Sequence, residues 1–133
     1  MKYFIDSSTL IYFVTQTPED KLNKLFNLFK KLKSEGAEFY TNILVLDEVL
    51  WVCRKKYSIQ YKDTIKILIE LLSDIRILPL TEMDFYYAIR LLVNYNLKPS
   101  DAIHVANMLN NGIPIIISED KEFDRIVKRI WIE

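Results

Sequence analysis

Four acidic residues stand where a predicted strand ends or where the apolar face of a predicted helix is interrupted. Asp6 directly follows one short apolar run, and Asp120 lies three residues after another. Asp101 falls in the first turn of a predicted helix, and Glu48 lies among the apolar residues of a different one. Carboxylates gathered in one pocket repel each other, and because a hard divalent cation removes that repulsion, the pattern indicates a Mg²⁺ or Mn²⁺ site. Asp6 and Asp101 are expected to bind the cation, directly or through water, and Glu48 and Asp120 are expected to complete its ligands or to hold waters bound to it.

Three of these acids, and the single histidine, also have structural interpretations. Asp6 and Asp120 could each end a strand or cap a helix. Asp101 could simply favour a helix N-terminus, where negative charge is stabilised. His104, one turn after Asp101, could help to position a substrate, but a satisfied and partly buried histidine is the more common case. These alternatives stay open at the level of the sequence.

Glu48 has the most informative surroundings of the four acids. A carboxylate with apolar neighbours along its helix is costly to bury unless it is paired or binds a cation. Its neighbour Asp47 is equally close to apolar residues, so periodicity does not decide which of the two faces inward. Asp47 could pair with Arg54 at the surface, which favours Glu48 as the site residue. Glu48 could in turn pair with Lys55 or Lys56.

The elements that must position these residues alternate along the chain. Short apolar runs predict strands at 2–5, 38–40, 76–78, 113–117 and 129–132. Helical spacing and capping residues predict helices that begin at Ser7 or Ser8, Thr17, Thr41 or Asn42, Ser58, Thr81 and Lys98, with a short last helix at 119–127. This alternation predicts an α/β fold with a parallel sheet covered by helices on both faces. Ligands bind such sheets at the carboxyl ends of the strands, which is where Asp6 and Asp120 fall.

Composition narrows the class of protein. A chain of 133 residues fits one domain, predicted to span 1–133. The formal net charge is +0, whereas a protein that coats DNA is usually basic. Cys53 and His104 are the only residues of their types, too few for an internal disulfide or a zinc site. No apolar run approaches the ~20 residues of a membrane span, and the start does not resemble a signal peptide, so a cytoplasmic protein without membrane contact is expected.

Four motifs, taken in order along essentially the whole chain, resemble those of the PIN domain family. They are Ile5-Asp6-Ser7-Ser8, Leu46-Asp47-Glu48-Val49-Leu50, Ser100-Asp101-Ala102-Ile103-His104 and Ile117-Ser118-Glu119-Asp120-Lys121-Glu122-Phe123-Asp124. The spacing is similar to that of the small stand-alone members, the VapC toxins of prokaryotic toxin–antitoxin pairs. The family's acids match the four acids above, its strand-end Ser or Thr matches Ser118, and a further, less regular acid matches Asp124. A Ser at 118, where Thr is more frequent, and a short loop before Asp101 are mild departures.

The resemblance implies a function as well as a fold. It implies a central parallel sheet between helices, a bound Mg²⁺ or Mn²⁺, and endonuclease action on RNA phosphodiesters by water that the metal activates. It also implies a homodimer neutralised by a VapB-like antitoxin, for which aromatic residues on the early helices could form an apolar groove. Because the net charge is +0, local basic clusters would have to hold the RNA backbone, at 30–33, 54–56 and 128–129.

Three other functions compete with the nuclease. A catalytically inactive PIN-like module that only binds RNA or a protein would carry the same fold, although the intact acids argue against it. A receiver-like phosphoacceptor domain needs adjacent acids before its strand-end Asp, and Asp6 has none before it. A phosphatase of the Asp-x-Asp type is disfavoured because position 8 is Ser.

Overall fold

The computed structural model describes residues 1–132, which form one α/β domain around a five-stranded sheet. The strands are β1 (Lys2–Ile5), β2 (Glu38–Asn42), β3 (Ile75–Leu78), β4 (Ile115–Ile117) and β5 (Lys128–Ile130). The helices are α1 (Ser7–Thr15), α2 (Glu19–Ser34), α3 (Ile43–Tyr57), α4 (Tyr61–Leu71), α5 (Glu82–Asn94) and α6 (Pro99–Asn110). A short 3-10 helix spans Lys121–Arg125.

All paired strands run parallel in the order β3-β2-β1-β4-β5, as predicted for a sheet covered on both faces. The central strands are the most apolar, and Phe4, Ile5, Ile116 and Ile117 have no exposed surface. Strands buried on both faces read as continuous apolar runs, which explains why β1 and β4 were recognisable from the sequence.

The order of the strands creates a switch point between β1 and β4. The chain leaves β1 toward β2 and β3 on one side of the sheet, then returns to place β4 and β5 on the other side. Ile5 pairs with Ile117 in this register, so the residues that follow the two strands emerge side by side. In open parallel sheets this crevice is the usual ligand site.

The predicted boundaries were wrong at three places in the last third of the chain. The strand predicted at 113–117 begins only at Ile115, because Pro114 has no N–H to donate to a neighbouring strand. The helix predicted at 119–127 is the 3-10 helix, and such turns are short because their hydrogen bonds are poor. The strand predicted at 129–132 is β5, which begins and ends earlier.

The capping predictions had mixed outcomes. Asn42 caps α3 by accepting from the Val45 backbone N–H at 2.9 Å, and Thr81 and Asp84 form the predicted capping box of α5. The prediction that Ser7 or Ser8 caps α1 was wrong, because Asp6 occupies that position without a side-chain cap bond. Likewise α2 begins after Pro18, not at a Thr17 cap, and Ser58 ends α3, leaving α4 to begin at Tyr61. Within residues 1–132, no helix combines the length and apolarity needed to cross a membrane.

Candidate metal centre

Asp6 and Ser118 face each other across the switch point. Each is the first residue after its strand, and the β1–β4 register makes them neighbours. The Ser118 hydroxyl donates to Asp6 Oδ2 at 2.8 Å, and both side chains are buried. Because the Asp6 carboxylate is not used to cap α1, it is held toward the crevice by Ser118 instead. Ser118 thus contacts an acid of the predicted site.

Asp101 reaches the same crevice from the first turn of α6. A carboxylate oxygen of Asp101, one of Asp6 and an imidazole nitrogen of His104 all lie within 4.8 Å of one another. We call Asp6 and Asp101 the acidic cluster. Among residues 1–132, no lysine or arginine forms an ion pair with either carboxylate. The two acids predicted as metal ligands are therefore close together, and neither has an ion-pair partner among the described residues, although the charge of Lys98 acts on Asp101 from farther away.

Glu48, and not Asp47, faces this crevice. The Ser7 hydroxyl donates to Glu48 Oε1 at 2.6 Å, whereas Asp47 is exposed on α3. Lys98 Nζ lies 3.7 Å from Glu48 Oε2, so neither Lys55 nor Lys56 is the partner. The Ser7 contact was not foreseen, although a serine directly after Asp6 on the first turn of α1 was a usable signal.

Asp120 lies on the rim of the site and has a structural task as well. Its Oδ1 accepts from the Glu122 backbone N–H at 2.9 Å, so it caps the 3-10 helix, as one of the structural interpretations held. Its own N–H donates to the Ser118 hydroxyl at 3.0 Å, which ties it to Asp6. Asp120 and Glu48 therefore flank the acidic cluster and lie outside the group of atoms within 4.8 Å.

Asp124, matched to a less regular family acid, is held by an arginine. Arg129 Nε and Nη2 donate to its two carboxylate oxygens at 2.9 and 3.1 Å. The same guanidinium donates to the Ser118 carbonyl at 3.0 Å. Asp124 is thus compensated locally, unlike the acidic cluster, and its supporting role in a metal site stays a prediction.

Burial and mutual repulsion disfavour the charged forms of the acidic cluster. Burial raises the pKa of Asp6, and the hydrogen bond from Ser118 only partly opposes this, while Glu48 and Asp120 raise it further. Burial, followed by the charges of Asp6 and Asp120, raises the pKa of Asp101 to about 7. In the absence of a cation, the two acids therefore hold protons at pH values where ordinary aspartates are ionised.

His104 differs from its predicted state. It has no exposed surface, whereas partial burial was expected, and burial lowers its pKa to about 4. Its Nδ1 lies 3.2 Å from the Asn42 amide nitrogen, but its Nε2 has no hydrogen-bond partner in the described part of the chain. The histidine therefore has a hydrogen-bond partner on only one of its two ring nitrogens.

The residues of the crevice fit a hard divalent cation. Carboxylate oxygens are the ligands that Mg²⁺ and Mn²⁺ prefer, and four acids surround the crevice. A cation would offset the repulsion and burial that raise the pKa of Asp6 and Asp101.

The fold and the site together define a class of protein: a parallel α/β domain with an acidic cluster at the switch point of its sheet. The chain belongs to the PIN domain family, whose model matches residues 3–129. No curated protein sequence matches the chain significantly.

Solved structures share the fold over almost the whole chain. A chain from VapBC2 of Rickettsia felis, bound to a DNA fragment of its promoter, has TM-score 0.80 and 15% identity, covering 100% of both chains. A chain from DNA-bound VapBC of Salmonella typhimurium has TM-score 0.76 and 14% identity, covering 98% of both. VapC20 of Mycobacterium tuberculosis, a sarcin–ricin loop cleaving toxin, has TM-score 0.73 and 18% identity, covering 92% of this chain and 93% of its own. At such identities the likeness establishes the fold alone.

Proposed function

We propose that this PIN domain is a Mg²⁺- or Mn²⁺-dependent endoribonuclease of the VapC toxin type. The observation that carries the proposal is the acidic cluster at the switch point of the sheet, where neither carboxylate has an ion-pair partner among the described residues. Family membership and the fold shared with VapC structures support it. RNA as substrate and the cytoplasm as location are parts of the proposal.

Each residue around the crevice has a distinct task in this proposal. Asp6 and Asp101 would hold the cation, and Glu48 and Asp120 would add negative charge around it. When bound, a divalent cation neutralises charge on the phosphodiester and lowers the pKa of the attacking water. Ser118 keeps the carboxylate of Asp6 in place through its 2.8 Å hydrogen bond.

Two further side chains complete the walls of the crevice. Ser7 holds Glu48 by its 2.6 Å hydrogen bond, which fixes the direction of a flexible carboxylate. Lys98 is exposed at the rim, and its Nζ is only loosely paired with Glu48 at 3.7 Å. It is therefore placed to contact a substrate phosphate, a task for which the predicted basic cluster at 128–129 is less suited because Arg129 is held by Asp124.

Cleavage of a structured RNA with and without Mg²⁺ tests the nuclease. The expected result is cutting by the wild type with Mg²⁺, and its loss in Asp6→Asn and Asp101→Asn. Glu48→Gln is expected to reduce cutting, whereas Asp47→Asn, on the neighbouring exposed acid, serves as the matched control and should cut normally. Undiminished cutting by both aspartate variants would end the proposal.

The same assay distinguishes the nuclease from a catalytically inactive PIN-like module. Such a protein would bind Mg²⁺ or RNA without producing cleavage products. Binding that persists in every variant, with no cutting by the wild type, would favour that alternative over the nuclease.

An apolar cleft supports the proposal of a VapB-like antitoxin as partner. The cleft has a volume of about 350 Å³ and lies between the sheet and helices α1, α2 and α4. Aromatic rings form much of its wall, with Phe13 against Phe26 at 5.1 Å and Phe29 against Phe39 at 5.0 Å. Phe26 is 52% exposed there, as suits a groove that receives an apolar segment of a partner.

A homodimer is the second association that we propose. One side of α5 exposes large apolar side chains, namely Met83, Phe85, Tyr86, Ile89 and Val93. Exposed apolar patches of this kind mark association sites, and a face that meets its own copy across a two-fold axis is self-complementary. The dimer face and the antitoxin cleft are on different helices, so the two associations are compatible.

Two matched variants separate these associations. Phe26→Glu should weaken binding of a VapB-like antitoxin, while leaving the mass of the toxin alone in solution unchanged. Phe85→Glu should lower the mass in solution from twice the 15.8 kDa of one chain to that of one chain, without affecting the partner. A wild-type monomer, or equal partner binding by Phe26→Glu, would refute the respective assignment.

A further inference from the structure

His104 is the one buried titratable side chain of the crevice that the proposed nuclease does not use. It is the only histidine in the sequence, it has no exposed surface, and its ring packs against Phe4 with 5.8 Å between ring centres. An imidazole nitrogen lies within 4.8 Å of a carboxylate oxygen on both acids of the acidic cluster. Such a residue could be a nitrogen ligand of the metal or a hydrogen-bond donor to the acids, and the two tasks need different tautomers.

The side-chain amide of Asn42 decides between these tautomers, because a hydrogen bond to its oxygen fixes its orientation. Asn42 Oδ1 accepts from the Val45 backbone N–H at 2.9 Å, which is the N-cap of α3. The amide nitrogen must therefore point the other way, where it lies 3.2 Å from Nδ1 of His104. A rotated amide would turn the nitrogen toward a backbone donor and lose the cap.

A second chain of contacts fixes the same orientation from the opposite direction. Asn107 donates its amide nitrogen to Asp84 Oδ2 at 3.0 Å and to the Pro79 carbonyl at 3.1 Å. Its Oδ1 is thereby left to accept from the Asn42 amide nitrogen at 3.0 Å. The contacts of Asn42 with Val45 and with Asn107 thus both require its amide nitrogen to be on the side that faces Asn107 and His104.

A donor at Asn42 dictates where the proton of His104 sits. Nδ1 must present a lone pair to the Asn42 N–H, so the neutral ring carries its proton on Nε2. With Nδ1 occupied by Asn42, Nε2 is the ring nitrogen that has no hydrogen-bond partner in the described part of the chain. A ring that bound a metal through Nε2 would carry the proton on Nδ1, where it would meet the N–H of Asn42 head-on.

We infer that His104 carries its proton on Nε2, the ring nitrogen that has no partner among the described residues, and that Asn42 thereby prevents the ring from ligating the metal. Given the metal site of the proposed function, this tautomer keeps the ligand set all-oxygen. An all-oxygen set suits Mg²⁺, whereas an added imidazole would favour Zn²⁺ and other transition metals. Asn42 therefore acts on metal choice without touching the metal.

The tautomer can be measured directly, because the untagged chain has one histidine. Nitrogen-15 NMR of the imidazole, recorded on the full chain at neutral pH without metal, should show a proton on Nε2 and none on Nδ1. Added Zn²⁺ should leave the Nε2 proton in place. A proton on Nδ1, or loss of the Nε2 proton on adding Zn²⁺, would overturn the inference.

The substitution Asn42→Asp provides a second test of the inference. Asp keeps the cap acceptor for α3 but can accept a proton from Nδ1, so the ring should switch tautomer and free Nε2 as a ligand. The ratio of Zn²⁺ to Mg²⁺ affinity should rise by on the order of tenfold, a ratio that cancels the general effect of the added charge. An unchanged ratio in a folded variant with a switched tautomer would contradict the inference.

The outcomes distinguish this inference from the proposed function. Failure of the wild type to bind Mg²⁺ or to cut RNA would refute the nuclease, while the tautomer in the metal-free protein would still decide the role of Asn42. If Asn42→Asp does not fold, the wild-type spectra with and without Zn²⁺ decide the inference alone.

Discussion

Two buried acidic regions of this molecule meet the same electrostatic problem in different ways. Asp84, on the first turn of α5, is only 2% exposed. Its carboxylate accepts three short hydrogen bonds, from the Thr81 backbone N–H at 2.9 Å, from Asn107 at 3.0 Å and from Asn110 at 2.8 Å. A carboxylate with this many donors is stable in a protein interior without a counterion.

The acidic cluster has weaker support. Asp6 is 5% exposed and accepts hydrogen bonds from the Ser118 hydroxyl at 2.8 Å and from the Ser7 backbone N–H, with a 3.4 Å contact from Ser8, yet its pKa remains raised. No group within residues 1–132 donates a hydrogen bond to the Asp101 carboxylate. Buried acids are therefore structural where the chain itself supplies the donors, and they indicate a ligand site where it does not.

The largest expected effect is on the stability contributed by Asp84. Asp84→Ala should lower the free energy of unfolding by roughly 3–5 kcal/mol, because the amides of Asn107 and Asn110 lose their acceptor and the capping box of α5 is broken. Asp101→Ala, measured without metal, should leave stability unchanged or raise it. Chemical denaturation of both variants measures the contrast, and similar losses in the two would remove the distinction between the regions.

The next expected effect is stabilisation by metal. At a Mg²⁺ concentration about 100 times its Kd, the native state should gain about 2.7 kcal/mol, which raises the midpoint of thermal unfolding by roughly 10 °C. The shift should vanish in Asp101→Asn and persist in Asp124→Asn, whose acid is held by Arg129. An equal shift in Asp101→Asn would place the cation elsewhere.

Much of the acidic cluster could be predicted from the sequence, because one of its acids directly follows a buried strand and the other lies in the first turn of a helix. Local patterns located Asp6, which follows β1, and Asp101, which lies in the first turn of α6. Three features could not be predicted: the orientation of Glu48, the role of Ser7, and the series of side-chain contacts that links Asp84 to His104. These depend on side chains distant in sequence, such as Asn42 and Asn107, that meet only after α3 and α6 pack on the sheet.

A pH dependence is the third expected effect, and it is smaller. The pKa of Asp101 lies at about 7 in the folded protein against an ordinary 3.8, so the folded state binds the proton more tightly than the unfolded state. Without metal, stability should therefore fall as pH rises from about 4 to about 7, by on the order of 1–2 kcal/mol for this partly exposed group. Thermal unfolding across that range measures it.

The control for the pH effect is Asp101→Asn, which should flatten this part of the profile. The stabilisation by Mg²⁺ should show the opposite trend and grow between pH 6 and pH 8, because the cation no longer has to displace protons. The raised pKa of Asp101 would be contradicted if the stability of the metal-free wild type rose between about pH 4 and pH 7 and Asp101→Asn left that profile unchanged.

The smallest expected effect concerns the support of Glu48. Ser7→Ala removes the 2.6 Å hydrogen bond to Glu48, which should reduce RNA cleavage by about tenfold while costing about 1 kcal/mol of stability. Ser34→Ala, which removes a hydroxyl contact on an exposed turn, is the matched control for cleavage. Full activity of Ser7→Ala would show that Glu48 needs no fixed orientation.

Calorimetric titration of the metal-free protein with Mn²⁺ at pH 7 tests the cation site most directly. Saturable binding is expected, with heats that change with the ionisation enthalpy of the buffer because Asp101, whose pKa is raised to about 7, releases its proton. Asp101→Asn should abolish the binding, and Asp84→Asn, if folded, should retain it. No binding by the wild type, or equal binding by Asp101→Asn, would contradict the assignment of the acidic cluster as a metal site.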